Sequence, residues 1–288
     1  MTDNMNIQWY PGHMTKTRRQ IEADLKLVDA VCEIVDARIP VSSRNPDIDV
    51  ICGEKPRMIV LNRMDLADPV ATKKWAEYFK KKGMAVIATD CKSKKGISGF
   101  TPAARLACAE KLERDAKRGM NRPLRVMVVG IPNVGKSTLI NQISGRKSAK
   151  AENRPGVTRG KQWVTVDSGL QLLDTPGILW PKFEDPEVGM MLAYTGAVKE
   201  GVIDLEELAY RLMELLHKFY PQTLLERYKV EAPEGTPGWQ LLELAARKRG
   251  YLISGGEVNT ERMAKVLLDE FRSGKLGNFT LEMPEDMV

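Results

Sequence analysis

Residues 124–137 read LRVMVVGIPNVGKS. The apolar run Leu124–Val129 has the composition of a buried strand and leads straight into glycine, while Lys136–Ser144 carries a helical pattern. Between them Gly130–Ser137, GIPNVGKS, fits G-x-x-x-x-G-K-[ST], the phosphate loop, in the strand-to-helix setting that motif requires. The glycines let backbone N–H groups turn inward around phosphates. The Lys136 ammonium reaches the β and γ oxygens, and the Ser137 hydroxyl is offered to Mg²⁺. The N-terminus of the following helix adds the positive end of its dipole. Asn133, Val134, Gly135, Lys136, Ser137 and Thr138 are therefore expected to bind the nucleotide's phosphates.

Downstream, Leu170–Leu173 is a second apolar run, and Asp174–Gly177 follow it as DTPG. In phosphate-loop enzymes an Asp at this point holds Mg²⁺, and the glycine N–H can sense the γ-phosphate. Arg154–Arg159, RPGVTR, lies between the two motifs. Thr158 is the candidate for a mobile loop that closes on Mg²⁺ when the γ-phosphate is present. The expected metal ligands are Ser137, Thr158 and Asp174, and Gly177 joins Lys136 in the catalytic set.

Guanine is read by N-K-x-D at a strand end, where the Asp carboxylate accepts from guanine N1–H and the 2-amino group. Adenine has an acceptor at N1 and no such amino group, so a buried carboxylate left unpaired disfavours it by about 1–3 kcal/mol. No N-K-x-D follows Gly177, but Asn62–Asp65, NRMD, directly follows the apolar run Met58–Leu61, with Arg63 in place of the usual Lys. The next run, Ala85–Ala88, ends at Thr89 and Asp90, where GTPases place a loop over the base. Asn62, Arg63, Asp65, Thr89 and Asp90 are the expected base-side residues. The departure at Arg63 keeps ATP open as an alternative nucleotide.

The order of these motifs is base motif, base loop, phosphate loop, switch threonine, DTPG. Ordinary GTPases start at the phosphate loop, so this is a circular permutation, which keeps the sheet intact because domain termini often lie close together. The expected fold is α/β: a circularly permuted P-loop GTPase domain with a mostly parallel sheet over residues 1–184, including an N-terminal helical extension. An all-α C-terminal domain over residues 185–288 follows. Lys16–Leu27, Pro69–Lys82 and Thr101–Lys117 read as helices, and Gln162–Val166 pairs with Leu170–Leu173 as a hairpin turning near Ser168 and Gly169. Leu205–Phe219, Trp239–Arg249 and Thr260–Arg272 carry apolar residues at helical spacing. Trp163, Trp180 and Trp239 are expected to pack.

Composition excludes several classes. The 288 residues are 43% hydrophobic and 28% charged, ordinary for a globular protein. No apolar run approaches the ~20 residues of a membrane span, and Met1–Tyr10 lacks the pattern of a secretory leader. Cys32, Cys52, Cys91 and Cys108 have no CxxC spacing and read as reduced structural thiols. A soluble cytoplasmic monomer is expected. The net charge is +6, divided unevenly: residues 1–184 hold 32 basic and 20 acidic side chains, residues 185–288 hold 12 and 18. The basic part would attract a polyanion such as nucleic acid.

A permuted GTPase opening with Trp9-Tyr10-Pro11-Gly12-His13-Met14 resembles the RbgA/YlqF family, ribosome biogenesis GTPase A. The stretches DARIPVSSRNP (Asp36–Pro46), GIPNVGKS and DTPGILWP, ending at Pro181, are similar to that family as well. The resemblance implies a GTPase that binds ribosomal RNA on the precursor of the large (50S) ribosomal subunit, assists its late assembly and leaves on hydrolysing GTP. Ile178 stands where Ras-like enzymes carry the catalytic Gln, so the attacking water needs another guide. The resemblance points to His13; read without it, His13 is an RNA-contacting or packing histidine. Asn133 is similar to the asparagine with which related GTPases bind K⁺, the alternative being a residue that only stabilises its loop. GTP/GDP and Mg²⁺, with K⁺ as a further candidate, are the implied cofactors. Arg247–Arg249 in the tail are candidates for RNA phosphates. Two other functions stay open: a GTP-gated binding scaffold, and a GTPase acting on transfer RNA or in signalling.

Overall fold

Short runs rich in Val, Ile and Leu form a six-stranded sheet in the computed structural model, which describes residues 19–145, 162–175, 186–198 and 204–287. The strands are β1 (Ala30–Asp36), β2 (Arg57–Asn62), β3 (Ala85–Thr89), β4 (Leu124–Gly130), β5 (Gln162–Asp167) and β6 (Leu170–Asp174). Their order is β3-β2-β1-β4-β6-β5. All pairings are parallel except the β5–β6 hairpin. β1 is buried along its whole length, as expected of a central parallel strand covered on both faces. Edge strand β5 alternates instead, with Val164 buried between exposed Trp163 and Thr165.

Helices cover both faces. On one side lie residues 19–25 (α1), α2 (Asp47–Cys52) and α3 (Pro69–Lys81), which bury Ile21, Leu25, Ile48, Trp75 and Phe79 against the sheet. α3 starts at Pro69 because Pro suits the first helical turn and the Asp68 carboxylate accepts from Val70 N and Ala71 N. On the other side α4 (Phe100–Ala107), α5 (Ala109–Lys117) and α6 (Lys136–Ser144) follow. The single helix expected over Thr101–Lys117 is two. The backbone breaks at Cys108, φ −109° and ψ 19°, because the halves do different work: α4 buries Phe100, Ala103 and Ala104, whereas α5 is mostly solvated and turns Lys111 and Asp115 toward Asp29 and Arg122.

The described residues from 186 onward carry five α-helices: α7 (Pro186–Tyr194), α8 (Leu205–Phe219), α9 (Pro221–Tyr228), α10 (Gly238–Lys248) and α11 (Thr260–Ser273). α7 and α9 carried no clear pattern in the sequence, and α9 begins at a proline immediately after α8. The hydrophobic cluster on the α4–α6 face of the sheet runs on without a gap into Leu212, Leu241, Leu267 and Phe271 of these helices. The expected boundary at residues 184 and 185 lies outside the described residues. After α11 an irregular strap returns to the first part of the chain. Phe279 N donates to Leu66 O (2.9 Å) and Leu281 N to Arg38 O (2.8 Å), and Phe279 stacks on Phe271 and meets Tyr220 edge to face.

The parallel strands carry their C-terminal ends to one edge of the sheet, and β1 and β4, neighbours at its centre, send their connections to opposite sides. Such a switch point opens a crevice for a ligand beyond the strand ends. The four cysteines are buried and unpaired, and burial pushes the thiols of Cys52 and Cys108 up to about 11 and that of Cys91 to about 12. They are inert thiols.

Candidate functional site

β4 delivers Gly130 into the crevice in a left-handed conformation, φ 155°, where a Cβ would lie 2.6 Å from Ile34 O. Val134 is buried and pins the loop to the core. Gly135, φ 107°, is crossed by the Asn62 side chain, so a Cβ there would collide with Asn62 Nδ2. The two glycine positions are thus steric requirements as well as conformational ones. α6 starts at Lys136, which sets Ser137 and Thr138 in its first turn.

The Lys136 ammonium folds back over its own loop, donating to Gly130 O (3.0 Å) and Ile131 O (2.7 Å). Burial lowers its pKa to about 8 against the opposing charge of Asp174. Asp174, at the end of β6, responds in the opposite sense: burial raises it to about 6, with Lys136 opposing. Asp174 Oδ1 is buried and has no hydrogen-bond partner among the described residues. An orphaned buried carboxylate oxygen costs on the order of 1–3 kcal/mol or more, and a carboxylate oxygen is the kind of hard donor that suits Mg²⁺. Next along the chain, the Thr175 hydroxyl donates to Val128 O (2.7 Å), tying the start of DTPG to β4.

On the base side Asn62 is the hinge between two motifs. Its Nδ2 donates to Val134 O (2.7 Å) in the phosphate loop, and its Oδ1 accepts from Thr89 Oγ1 (3.1 Å) and Cys91 N (3.3 Å) in the base loop. Arg63, at φ 60°, sends a guanidinium N–H to Asn133 O (2.7 Å). The arginine standing for lysine therefore still links the base motif to the phosphate loop. Burial lowers its pKa, with Asp36 opposing. Asp65 is exposed, and desolvation, then the charge of Asp90, raises its carboxyl. Asp90 itself accepts from Lys92 N and Ser93 N (2.8 and 3.2 Å), so its carboxylate shapes the loop rather than facing the crevice. Asn133 donates its side-chain amide to Gly196 O (3.2 Å), beyond α7.

His13, Thr158 and Gly177 lie outside the described residues, as does Trp180. Of the other tryptophans expected to pack, Trp239 is 52% and Trp163 39% exposed. Arg247 and Arg249 are engaged within the tail, by Glu243 (2.9 Å) and Glu270 (3.5 Å). Sequence reading gave no role to Asp36 and Arg38. The fully buried Arg38 guanidinium holds the Asp36 carboxylate with two bonds (2.9 and 2.8 Å), and Asp36 lies 3.7 Å from Arg63. Burial alone would raise the Asp36 carboxyl, but Arg38 holds it below the usual range. The available signal was an acid ending a mostly apolar strand, AVCEIVD.

Comparison with known proteins agrees with this geometry. The family profile described as "50S ribosome-binding GTPase" matches residues 125–220. Ribosome biogenesis GTPase A of Bacillus cereus is 46% identical over 284 residues, 98% of this chain and 95% of that protein. The Thermotoga maritima protein of the same name is 34% identical over 98% of this chain and 96% of its own length. The GDP-bound YlqF structure superposes with a TM-score of 0.67 at 31% identity, covering 93% of this chain and all of that one. GNP-bound YlqF from T. maritima gives 0.62 at 30%, covering 94% and 99%. A phosphate loop joined through Asn62 to a base motif that precedes it in the chain, with near full-length identity of this order, makes the chain a member of the ribosome biogenesis GTPase A family.

Proposed function

We propose that the chain binds GTP or GDP with Mg²⁺, hydrolyses GTP on the precursor of the large ribosomal subunit, contacts ribosomal RNA there and departs after hydrolysis. The observation that carries this reading is the Asn62–Val134 bond, which couples a guanine-type motif to a phosphate loop whose Lys136 faces the buried Asp174 carboxylate. Its near full-length relatives are named ribosome biogenesis GTPases.

In this reading Asp65 accepts from the guanine edge, the Arg63 stem lies along the base, and Thr89 and Asp90 hold the loop over it. Lys136 leaves the carbonyls of Gly130 and Ile131 for the phosphate oxygens. Val134, Gly135 and Thr138 complete the cradle. Ser137, Asp174 and Thr158 would hold Mg²⁺, which would supply charge neutralisation at the phosphates. Gly177 senses the γ-phosphate. His13 orients the attacking water, because Ile178 has no polar group for that task. An amide oxygen suits a monovalent cation, and Asn133 is the residue for K⁺ beside the phosphates. The protein works as a cytoplasmic monomer; no helix among the described residues is long and apolar enough to cross a membrane.

The test is GTP hydrolysis with and without purified large ribosomal subunits and their precursors, for the wild type and His13→Ala. Stimulation that disappears in the variant, with GTP binding intact, is the expected result. Stimulation that survives moves water positioning to other groups. Absence of stimulation by either particle points to the GTP-gated scaffold.

A further inference from the structure

The strap after α11 touches the base motif at one place, and there it takes every outward backbone acceptor in turn. Asn278 Nδ2 donates to Asp65 O (2.8 Å) and to Ala67 O (3.2 Å). Phe279 N donates to the carbonyl between them, Leu66 O (2.9 Å). The next residue, Thr280, accepts from Asp68 N through its hydroxyl (3.3 Å). Three consecutive carbonyls, beginning at the residue that reads guanine, are thus held by a segment more than two hundred residues away in sequence.

We infer that Asn278 is a positioning residue for guanine recognition: its side-chain amide clasps the backbone of residues 65–67 and so sets where the Asp65 carboxylate points. The inference rests on the reading of Asp65 as the base acceptor. Asp65's own backbone N–H also bonds its carboxylate, but that contact moves with the loop and does not fix the loop's place. Asn62 and Arg63 fix the start of the turn to the phosphate loop, and Met64 N is held by Thr89 O (3.1 Å). The turn's far end has the strap alone among the partners described for these carbonyls. Asp65 is exposed on the loop and lies near the like charge of Asp90, which favours movement apart. A two-point clasp on the adjacent carbonyls opposes that movement. The strap is rigid enough to act as the clasp's base. Phe279 and Thr280 are buried, Phe279 lies stacked on Phe271 of α11 (5.8 Å), and the Glu282 carboxylate accepts from Val41 N and Ser42 N. Asn278 itself is exposed, so its side chain can be removed without opening the core. Through the strap, a displacement of α11 reaches the base motif, and by linkage any partner that displaces α11 changes guanine affinity by the factor with which the nucleotide changes that partner's binding.

The experiment measures equilibrium binding of GDP and of IDP, whose base lacks the 2-amino group, to the full chain as wild type, Asn278→Ala and Asp65→Asn. Asp65→Asn tests the underlying reading and is expected to weaken GDP tenfold or more. Asn278→Ala is expected to weaken GDP about fivefold and IDP less than twofold, narrowing the preference for GDP, with an unchanged melting temperature in the absence of nucleotide. If Asp65→Asn weakens GDP but Asn278→Ala leaves the GDP-to-IDP ratio at the wild-type value, whether or not both ligands weaken together, the clasp has no part in recognition and the inference is overturned. If Asp65→Asn leaves GDP binding intact, the base reading fails and the inference falls with it.

Discussion

Asp174 and Lys136 show how a nucleotide site stores its cost in single residues. Each is buried beside the other, yet the Asp174 carboxyl is raised to about 6 and the Lys136 ammonium lowered to about 8, so mutual attraction does not recover what burial removes. The sign of the pH effect follows. A carboxyl whose folded pKa lies above its unfolded value stabilises the fold when protonated, and that contribution is lost as pH rises through about 6. Without nucleotide, the wild type is expected to lose on the order of 2–3 kcal/mol relative to Asp174→Asn between pH 4 and pH 7.5. Differential scanning calorimetry of both proteins across that range checks it, and parallel curves would remove the argument. At neutral pH the substitution should stabilise the empty protein while weakening nucleotide binding that depends on Mg²⁺. The places of Asn62 at a strand end and Lys136 at a helix start were legible from the motifs; the Asp36–Arg38 pair was not, since only the fold brings Arg63 beside it.

The elements of this protein were readable where one face or both faces are buried. β1 to β4 announced themselves because each is a short, mostly apolar run, and α8 and α11 because their apolar residues recur at helical spacing. The break at Cys108 was invisible: both halves of Thr101–Lys117 have good helix formers, and the separation comes from what each half packs against. α10 depends on a contact that sequence cannot display. Gly238, its first residue, lies so close to Tyr210 O of α8 that a Cβ would overlap the carbonyl, and its N–H donates to Glu214 Oε1 (2.7 Å). Gly238→Ala must push α10 away from α8 although alanine is the better helix former. A loss of about 2–4 kcal/mol is expected, read as a lower midpoint in urea unfolding with an unchanged slope. A rise in stability of ~1 kcal/mol, the propensity effect, would show that the close approach is not maintained.

At the scale of the whole molecule, the uneven charge and the long return of the chain matter most. The first 184 residues are net basic and the remainder net acidic. In the tail Arg247 and Arg249 are occupied by Glu243 and Glu270. In the proposed function, attraction to an RNA-rich particle is therefore expected to fall mainly to the sheet-bearing part. Co-sedimentation with large-subunit precursors should weaken ~10-fold or more between 50 and 200 mM salt. Charge-reversing substitution of Lys92, Lys94 and Lys95 should reduce the salt slope more than the same change at Arg247 and Lys248. Equal effects of the two sets on sedimentation would count against this division. The continuous hydrophobic cluster and the strap make the tail part of the nucleotide domain's support.

By itself the sequence determined the chemistry: a phosphate loop, a base motif placed ahead of it, and the strands that end at each. These are local patterns, because phosphate cradling needs contiguous N–H groups and a buried strand needs contiguous apolar residues. Only the tertiary structure decided how the pieces support one another. Asn62 reaches across 72 residues to Val134, Arg63 reaches Asn133, and Asn278 clasps Asp65 and Ala67 from the far end of the chain. The strap residues carry no helical or strand period, since their hydrogen bonds go to irregular backbone distant in sequence, and such partners leave no local pattern to read.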